Sequence, residues 1–274
     1  MSDSILSLQD LGWRQSFALA LEGLADPGLM PGRIVLQQRG RYAVATPKGE
    51  MAAALADRFR REAESAASLP CVGDWVALRA PSAGADLGAI SALLPRISAL
   101  SRRAAGPRNV EQILAANVDC IFIVMGLDGD FNLHRLQRYL AVATASGGRP
   151  VVLLTKADLP ADAAALAARI AEAQAVAPTI PVVATSVIGT AGILAVDPFL
   201  ARGQTIAMLG SSGAGKSTLV NAWLGQDLLR TGEVRASDSM GRHTTTQRQL
   251  FRVRDGALVI DTPGIRDLQL WETD

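Results

Sequence analysis

The segment TIAMLGSSGAGKSTLVNAWLG, residues 205–225, constrains this chain more than any other. An apolar stretch of strand type runs into Gly210-Ser-Ser-Gly-Ala-Gly-Lys216-Ser217, and a helical pattern follows at once. Glycines at this spacing let a tight loop turn its backbone N–H groups inward, and the helix N-terminus adds partial positive charge at the same point. Such a cradle suits a phosphate chain. Gly210, Ser211, Ser212, Gly213, Ala214, Gly215 and Thr218 would surround it, Lys216 would neutralise charge on the outer phosphates where chemistry occurs, and the Ser217 hydroxyl is placed to ligate Mg²⁺. A glycine-rich turn without a ligand is the plain alternative, and the flanking strand and helix argue against it.

The neighbouring sequence has the rhythm such a loop needs. NVDCIFIVMGL is a buried strand, NLHRLQRYLAVATASGG a helix ending at glycine, PVVLLTKADL a strand and loop, ADAAALAARIAEAQAVA a helix and IPVVATS a strand. RQLFRVRDGALVIDTPG gives two strands joined at its Asp-Gly turn. This alternation implies an α/β domain with a mainly parallel sheet and helices on both faces. Asp261-Thr-Pro-Gly264 ends the last strand, so Asp261 is placed on the magnesium side and the Gly264 amide near the terminal phosphate. An acidic first turn of a following helix would read the same way.

LLTKADL, residues 153–159, has the form of a guanine-reading loop. Asp158 would accept two hydrogen bonds from the guanine ring N–H and amino group, a pair adenine cannot offer, while the Lys156 stem covers the base. Thr185 and Ser186 follow the next strand and would touch the guanine edge. Thr155 stands where asparagine is usual, which weakens the expected tether between the base loop and the phosphate loop. The order is also unusual, because the base loops precede the phosphate loop. Both motifs can be genuine if the sheet is intact and the chain enters it elsewhere, as in a circular permutation.

Residues 1–30 form an N-terminal segment with a short helix around SFALALEGL. From Gly32 the texture changes to short strands punctuated by glycine, in GRIVLQQRGRYAVATPKGE, CVGDWVALR and GAISALLPRISALSR, with MAAALADRFRREAESAAS reading as a helical or disordered insertion. An OB-fold barrel over 31–105 is the economical expectation, and an SH3-like barrel fits nearly as well. The permuted domain then occupies 106–274. A length of 274 residues suits about two domains.

With 49% hydrophobic and 19% charged residues the chain can fill a sizeable core, yet no apolar run is long enough to span a membrane. The start, MSDSILSLQDLGW, lacks the pattern of a secretory signal, so a cytoplasmic protein is expected. Cys71 and Cys120 are far apart in apolar stretches and read as buried thiols. The net charge of +1 hides a basic run at 96–108 with four arginines and no acid. Arg102, Arg103 and Arg108 there would either face solvent or meet phosphate backbone.

Taken together, LGW, PGRIVLQQRGRYAV, VGDWVALR, LPRISALSRRAAG, AANVDCIFIVMGLDGDFNLHRLQRYL, TKADL, GSSGAGKSTLVN, GRHTTT and DTPGIRDL resemble, in this order, the bacterial ribosome small-subunit-dependent GTPase family, RsgA. The resemblance spans most of the chain. It implies an OB-fold, a circularly permuted GTPase domain, and GTP hydrolysis stimulated by the small (30S) ribosomal subunit during its late maturation. Expected partners are that subunit and 16S rRNA, with no DNA, no membrane and a monomeric chain. Family members usually continue into a helical zinc-binding domain with three Cys and one His. No Cys or His follows His243 here, so zinc is not carried over to this chain.

GRHTTT, residues 241–246, is the expected first switch, with Thr245 or Thr246 completing the Mg²⁺ shell. Where many GTPases carry a water-orienting glutamine after the DxxG glycine, this chain has Ile265. His243 is the nearest group able to orient water, and a solvated loop histidine reads equally well. Slow turnover completed by a partner follows from that substitution. A P-loop ATPase or nucleotide kinase, an RNA-binding adaptor with a weakly active domain, and a permuted GTPase of the large subunit are the rival readings.

Overall fold

The computed structural model describes residues 6–38, 40–82, 84–103, 111–188, 191–225 and 248–261. Helix α1 (Gln15–Glu22) precedes strands β1 (Met30–Gln38), β2 (Arg41–Thr46) and β3 (Gly49–Leu55), a short helix α2 (Asp57–Glu62), and strands β4 (Trp75–Arg79) and β5 (Gly88–Leu93). The five strands pair in the order β1-β2-β3-β5-β4, and β4 returns to pair with β1, closing the barrel. The pairing of β3 with β5 is parallel and the others are antiparallel, an OB-like arrangement. Ile34, Val44, Ala53, Val76, Leu78 and Ile90 fill it. The outer face of β4, carrying Trp75 and Ala77, is covered by α1 and the segment just before it: Trp13 meets Trp75 edge-on at 4.7 Å and Phe17 of α1 lies 5.8 Å from Trp75.

MAAAL departs from the sequence expectation. Instead of opening a helical insertion, Met51–Leu55 belong to β3, and helix is confined to Asp57–Glu62 and a 3-10 turn at Ala66–Ser68. Alanine favours helix locally, but here β2 and β5 offer backbone partners on both sides of the segment. Tertiary pairing outweighs a propensity worth only tenths of a kcal/mol per residue, about 0.7 at most for an ordinary residue.

A separate hairpin of β6 (Ala99–Arg103) and β7 (Glu111–Ala116) leads into the α/β part. The sequence reading assigned no element to residues 111–116, which form β7. There follow β8 (Cys120–Gly126), α3 (Leu133–Ala145), β9 (Arg149–Thr155), α4 (Ala163–Val176), β10 (Val182–Ala184), a single turn α5 (Ala191–Leu194), β11 (Thr205–Leu209), α6 (Lys216–Leu224), β12 (Arg248–Arg252) and β13 (Leu258–Asp261). Asn132 and Asp162 start α3 and α4 by accepting the Arg135 and Ala165 amides at 2.9 and 2.8 Å. The spatial order is β10-β9-β8-β11-β13-β12, parallel throughout except for the β12–β13 hairpin. That hairpin turns at Asp255 and Gly256, both at positive φ.

The strands alternate between two cores. Ile121, Ile123, Val152, Leu154, Ala207 and Ile260 face the layer that contains α3 and α4, whereas Phe122, Val124, Val151, Leu153, Ile206 and Val259 face α6 and Trp223. Burial on both faces explains why these strands read as continuous apolar runs. Among the described residues no helix is long and apolar enough to cross a membrane.

Barrel and α/β sheet are joined directly. Leu36 and Gln37 of β1 pair antiparallel with Gln249 and Arg248 of β12, so one eleven-stranded sheet runs through both. Beside this seam the fully buried Arg33 guanidinium donates to the carbonyls of Gly73 at 3.2 Å, Asn117 at 3.3 Å and Leu11. Burial brings its pKa down to about 10, with Asp119 and Asp74 opposing the fall. Asn117 adds an Nδ2 bond to the Gly73 carbonyl at 3.1 Å. Gly73 is held at φ +92°, and a Cβ there would lie 2.2 Å from the Ala116 carbonyl oxygen and 2.8 Å from Ile260 Cδ1. Arg96, part of the basic run, is also committed inward: it bonds both Asp74 carboxylate oxygens, at 2.8 and 2.7 Å, and the carbonyls of Ala67 and Leu69.

Candidate nucleotide-binding site

The phosphate loop leaves the end of the buried strand β11 and enters α6 through Gly215, at φ +95°. Beside Gly215 lies Thr155, whose Oγ1 would be 3.4 Å from an added Cβ. That contact is ordinary, so it is the backbone angle that calls for glycine. Ser212 and Gly213 are exposed, Ala214 is buried, and Lys216, Ser217 and Thr218 lie half-buried in the first turn of the helix. Gly210 starts the loop. The Lys216 ammonium donates to the carbonyls of Gly210 at 2.6 Å and Ser211 at 2.5 Å, which keeps it against the loop. A helix N-terminus with a lysine at its mouth attracts anions.

The base loops converge on the same place. Thr155, Lys156, Asp158 and Thr185 line a cavity of about 170 Å³ together with Gly215, Thr218, Leu219, Val187 and Ile188. Asp158 accepts a hydrogen bond from the Ser186 hydroxyl, and the Ser186 Oγ also accepts the Ile188 amide at 3.0 Å. Thr185 donates through Oγ1 to the Gly192 carbonyl at 2.6 Å, and its backbone N–H bonds Leu154 at 2.8 Å. The cavity thus has a carboxylate fixed at one side and aliphatic walls, as a flat heterocycle with a polar edge requires.

The tether expected to be weakened is present through a single hydroxyl. Thr155 Oγ1 donates to the Ala214 carbonyl at 2.6 Å, joining base loop to phosphate loop, and the Met125 carbonyl lies at 3.3 Å. A hydroxyl has one proton where a carboxamide has two, so threonine keeps the bond to the phosphate loop and gives up only the second one. Lys156, at φ +60°, extends to Asp128 as an ion pair, and this lysine holds the Asp128 carboxyl below the usual carboxylate range.

Other candidates are placed less completely. Asp261 ends β13, which runs parallel to β11 with Ile260 opposite Ala207, so its backbone lies beside the strand that feeds the phosphate loop. The side chains of Asp261 and Arg103, and all of His243, Thr245, Thr246, Gly264 and Arg108, lie outside the described residues. Arg102 sits on the β6–β7 hairpin and donates from Nε to Gln112 at 3.1 Å. Among the described residues no group of three or more His, Cys, Asp or Glu side chains is disposed to hold a metal. A hydroxyl at Ser217 with a carboxylate-bearing position at the end of the adjacent strand fits a magnesium ion, which takes few protein ligands and keeps water and phosphate oxygens. Burial raises the Cys120 thiol to about 11 and lifts Cys71 well above its ordinary value, so both are inert thiols.

Sequence reasoning missed Asp128 and Asp130, which follow β8 in the stretch GLDGDFN. The two alternate acids between a strand and a helix were the available signal.

A family model described as RsgA GTPase matches residues 93–271. A small ribosomal subunit biogenesis GTPase RsgA from Opitutus terrae is 47% identical, the alignment covering 98% of this chain and 74% of that protein. Its namesake from Methanosarcina acetivorans is 41% identical, with 96% and 69% covered. Among solved structures, YjeQ from Thermotoga maritima superposes with a TM-score of 0.66 at 25% identity, covering 88% of this chain and 77% of that one. YloQ, a circularly permuted GTPase, gives 0.62 at 21% identity, covering 88% and 73%, and supports the fold alone.

Proposed function

The chain belongs to the RsgA GTPase family, and from that premise we propose that it binds GTP between Asp158 and Lys216 and hydrolyses it as a checkpoint in late maturation of the small ribosomal subunit. It is a GTP hydrolase of ribosome biogenesis with an OB-like barrel and a circularly permuted GTPase domain. The observation that carries the residue-level reading is the cavity shared by Asp158, Lys156, Thr185, Gly215 and Thr218, with Thr155 bonded across it to Ala214. We divide the chain into an N-terminal segment 1–30, a barrel 31–105 and a GTPase domain 106–274.

In this reading Asp158 selects guanine over adenine, Lys156 covers the base, and Thr185 and Ser186 frame its edge. Residues Gly210 to Thr218 wrap the phosphates, and Lys216 offsets the charge that builds up as the terminal phosphoryl group departs. Ser217 and Asp261, with Thr245 or Thr246, would hold Mg²⁺, which supplies further charge neutralisation when bound. Gly264 reports the terminal phosphate through its amide. His243 orients the attacking water, because the apolar Ile265 is unable to. Turnover is therefore slow alone and rises when the small subunit completes the site. Arg102, Arg103 and Arg108 meet 16S rRNA phosphates, irrespective of sequence. The chain acts as a monomer in the cytoplasm.

Steady-state hydrolysis of GTP and ATP, each with and without purified small subunits, tests this. GTP-selective turnover that rises with subunits is expected. Turnover of ATP at a comparable rate would overturn the base-loop assignment, and GTP turnover indifferent to subunits would overturn the checkpoint.

A further inference from the structure

The loop between β8 and α3 lies outside the motifs that define the site, yet it reaches both of them. Two carboxylates are held in the same manner. Asp128 accepts the Asp130 amide on Oδ1 at 3.1 Å and the Lys156 ammonium on Oδ2. Asp130 accepts the Gly126 amide on Oδ2 at 3.1 Å, while its Oδ1 receives the Ser211 hydroxyl and the Arg135 guanidinium. Each carboxylate spends one oxygen on its own loop and turns the other toward the nucleotide machinery. The loop is itself pinned, since Leu127 bonds the Thr155 carbonyl at 2.9 Å, Phe131 bonds that of Asp128 at 3.1 Å, and Asn132 starts α3.

We propose that Asp128 and Asp130 are positioning residues for the nucleotide: Asp128 holds Lys156 for covering the base, and Asp130 holds Ser211 so that the first turn of the phosphate loop is formed in advance. This rests on the assignment of Lys156 and Lys216 above. Lysine is a flexible four-carbon chain, and at residue 156 it sits at a backbone angle that side chains rarely adopt. A fixed carboxylate at its tip limits the rotamers it must give up on binding, which raises affinity without touching the ligand. At the other end, Asp130 fixes Ser211, whose carbonyl in turn accepts the Lys216 ammonium. One rigid loop thereby sets the spacing between base and phosphate recognition.

The test is GDP and GTP binding to the full chain, followed with fluorescent nucleotides, for Asp128→Asn, Asp128→Glu, Lys156→Ala and the Asp128→Asn/Lys156→Ala pair. Asp128→Asn should weaken GDP and GTP by the same factor, roughly fivefold for a partly exposed ion pair. Preference for GDP over xanthosine diphosphate should persist, because Asp158 is untouched. Once Lys156 is alanine, Asp128→Asn should add nothing further, and Asp128→Glu should restore part of the loss seen with Asp128→Asn. A merely structural carboxylate would instead give losses that multiply in the double variant. At the phosphate end Ser211→Ala should reproduce the loss seen in Asp130→Asn, which keeps the test open if the Asp130 variant fails to fold with Arg135 unpaired. Asp128→Asn binding within twofold of the unaltered chain, or multiplicative losses, would overturn the positioning role while leaving the site assignment intact. An unaltered chain that does not bind GDP would overturn that assignment and this proposal with it.

Discussion

Thr155→Val removes one hydrogen-bond donor and almost nothing else. Valine has the shape of threonine, and the site is 4% exposed, so packing is conserved and only the bond to the Ala214 carbonyl is lost. Ala214 is fully buried. Leaving a buried acceptor without its donor costs about 1–3 kcal/mol. For a domain of this size about 1 kcal/mol corresponds to roughly 2–4 °C in Tm, so thermal unfolding should move down by several degrees. The same bond fixes the base loop against the phosphate loop, and a loss of about 1.4 kcal/mol in the closed complex lowers GDP affinity roughly tenfold. Thr155→Asn supplies a second donor, for which the Met125 carbonyl is already in place, and should bind GDP at least as tightly as the unaltered chain. Calorimetric titration with GDP, alongside thermal unfolding of the free proteins, separates the two effects. A Thr155→Val protein with lowered Tm but GDP affinity within twofold of the original would refute the tether and leave the hydroxyl as an ordinary core bond.

Three further outcomes follow from the geometry. Asp158→Asn should shift preference from guanine toward xanthine nucleotides, since a carboxamide presents a donor where guanine needs an acceptor; competition binding with GDP and xanthosine diphosphate would show retained guanine preference if Asp158 is not the reader. Gly73→Ala places a Cβ 2.2 Å from the Ala116 carbonyl oxygen at a backbone angle unfavourable to alanine, so the seam between barrel and sheet should be destabilised by more than about 1 kcal/mol, read by urea unfolding; an unchanged midpoint would show that the seam yields freely. Because burial holds the Cys120 thiol at about 11 and lifts Cys71 well above its ordinary value, the thiolate fraction at mildly alkaline pH is small, and neither should react with a disulfide reagent until the chain is unfolded; prompt labelling of the native protein would contradict the packing.

What was legible in the sequence was local. The glycine spacing of the phosphate loop, the apolar strands buried on two faces and the Thr-Lys-x-Asp loop each carry their signal within ten or so neighbouring residues, as patterns of backbone freedom and burial do. The permuted order was readable because two such local signals occurred in reverse. Long-range commitments were not. Met51–Leu55 became a strand through partners on β2 and β5, and Arg96 looked like a free cation until Asp74 met it from 22 residues away. Arg33 collects carbonyls from three separate segments, a role no spacing announces. Thr155 was read as a loss because asparagine is the usual residue, whereas the retained bond depends on a distance that sequence does not carry.

The antiparallel seam between β1 and β12 also decides how the molecule meets others like it. The outermost strand of a sheet exposes a row of unsatisfied backbone donors and acceptors, which invites a second copy to pair. One margin of the α/β sheet is β10, three residues long and too short to be a good template. The other is β12, longer and flanked by the hairpin to β13, and there the barrel lays Leu36 and Gln37 over the free backbone. A strand that belongs to a closed barrel thus terminates the open sheet, and an α/β domain cut away from it would carry a sticky margin into solution.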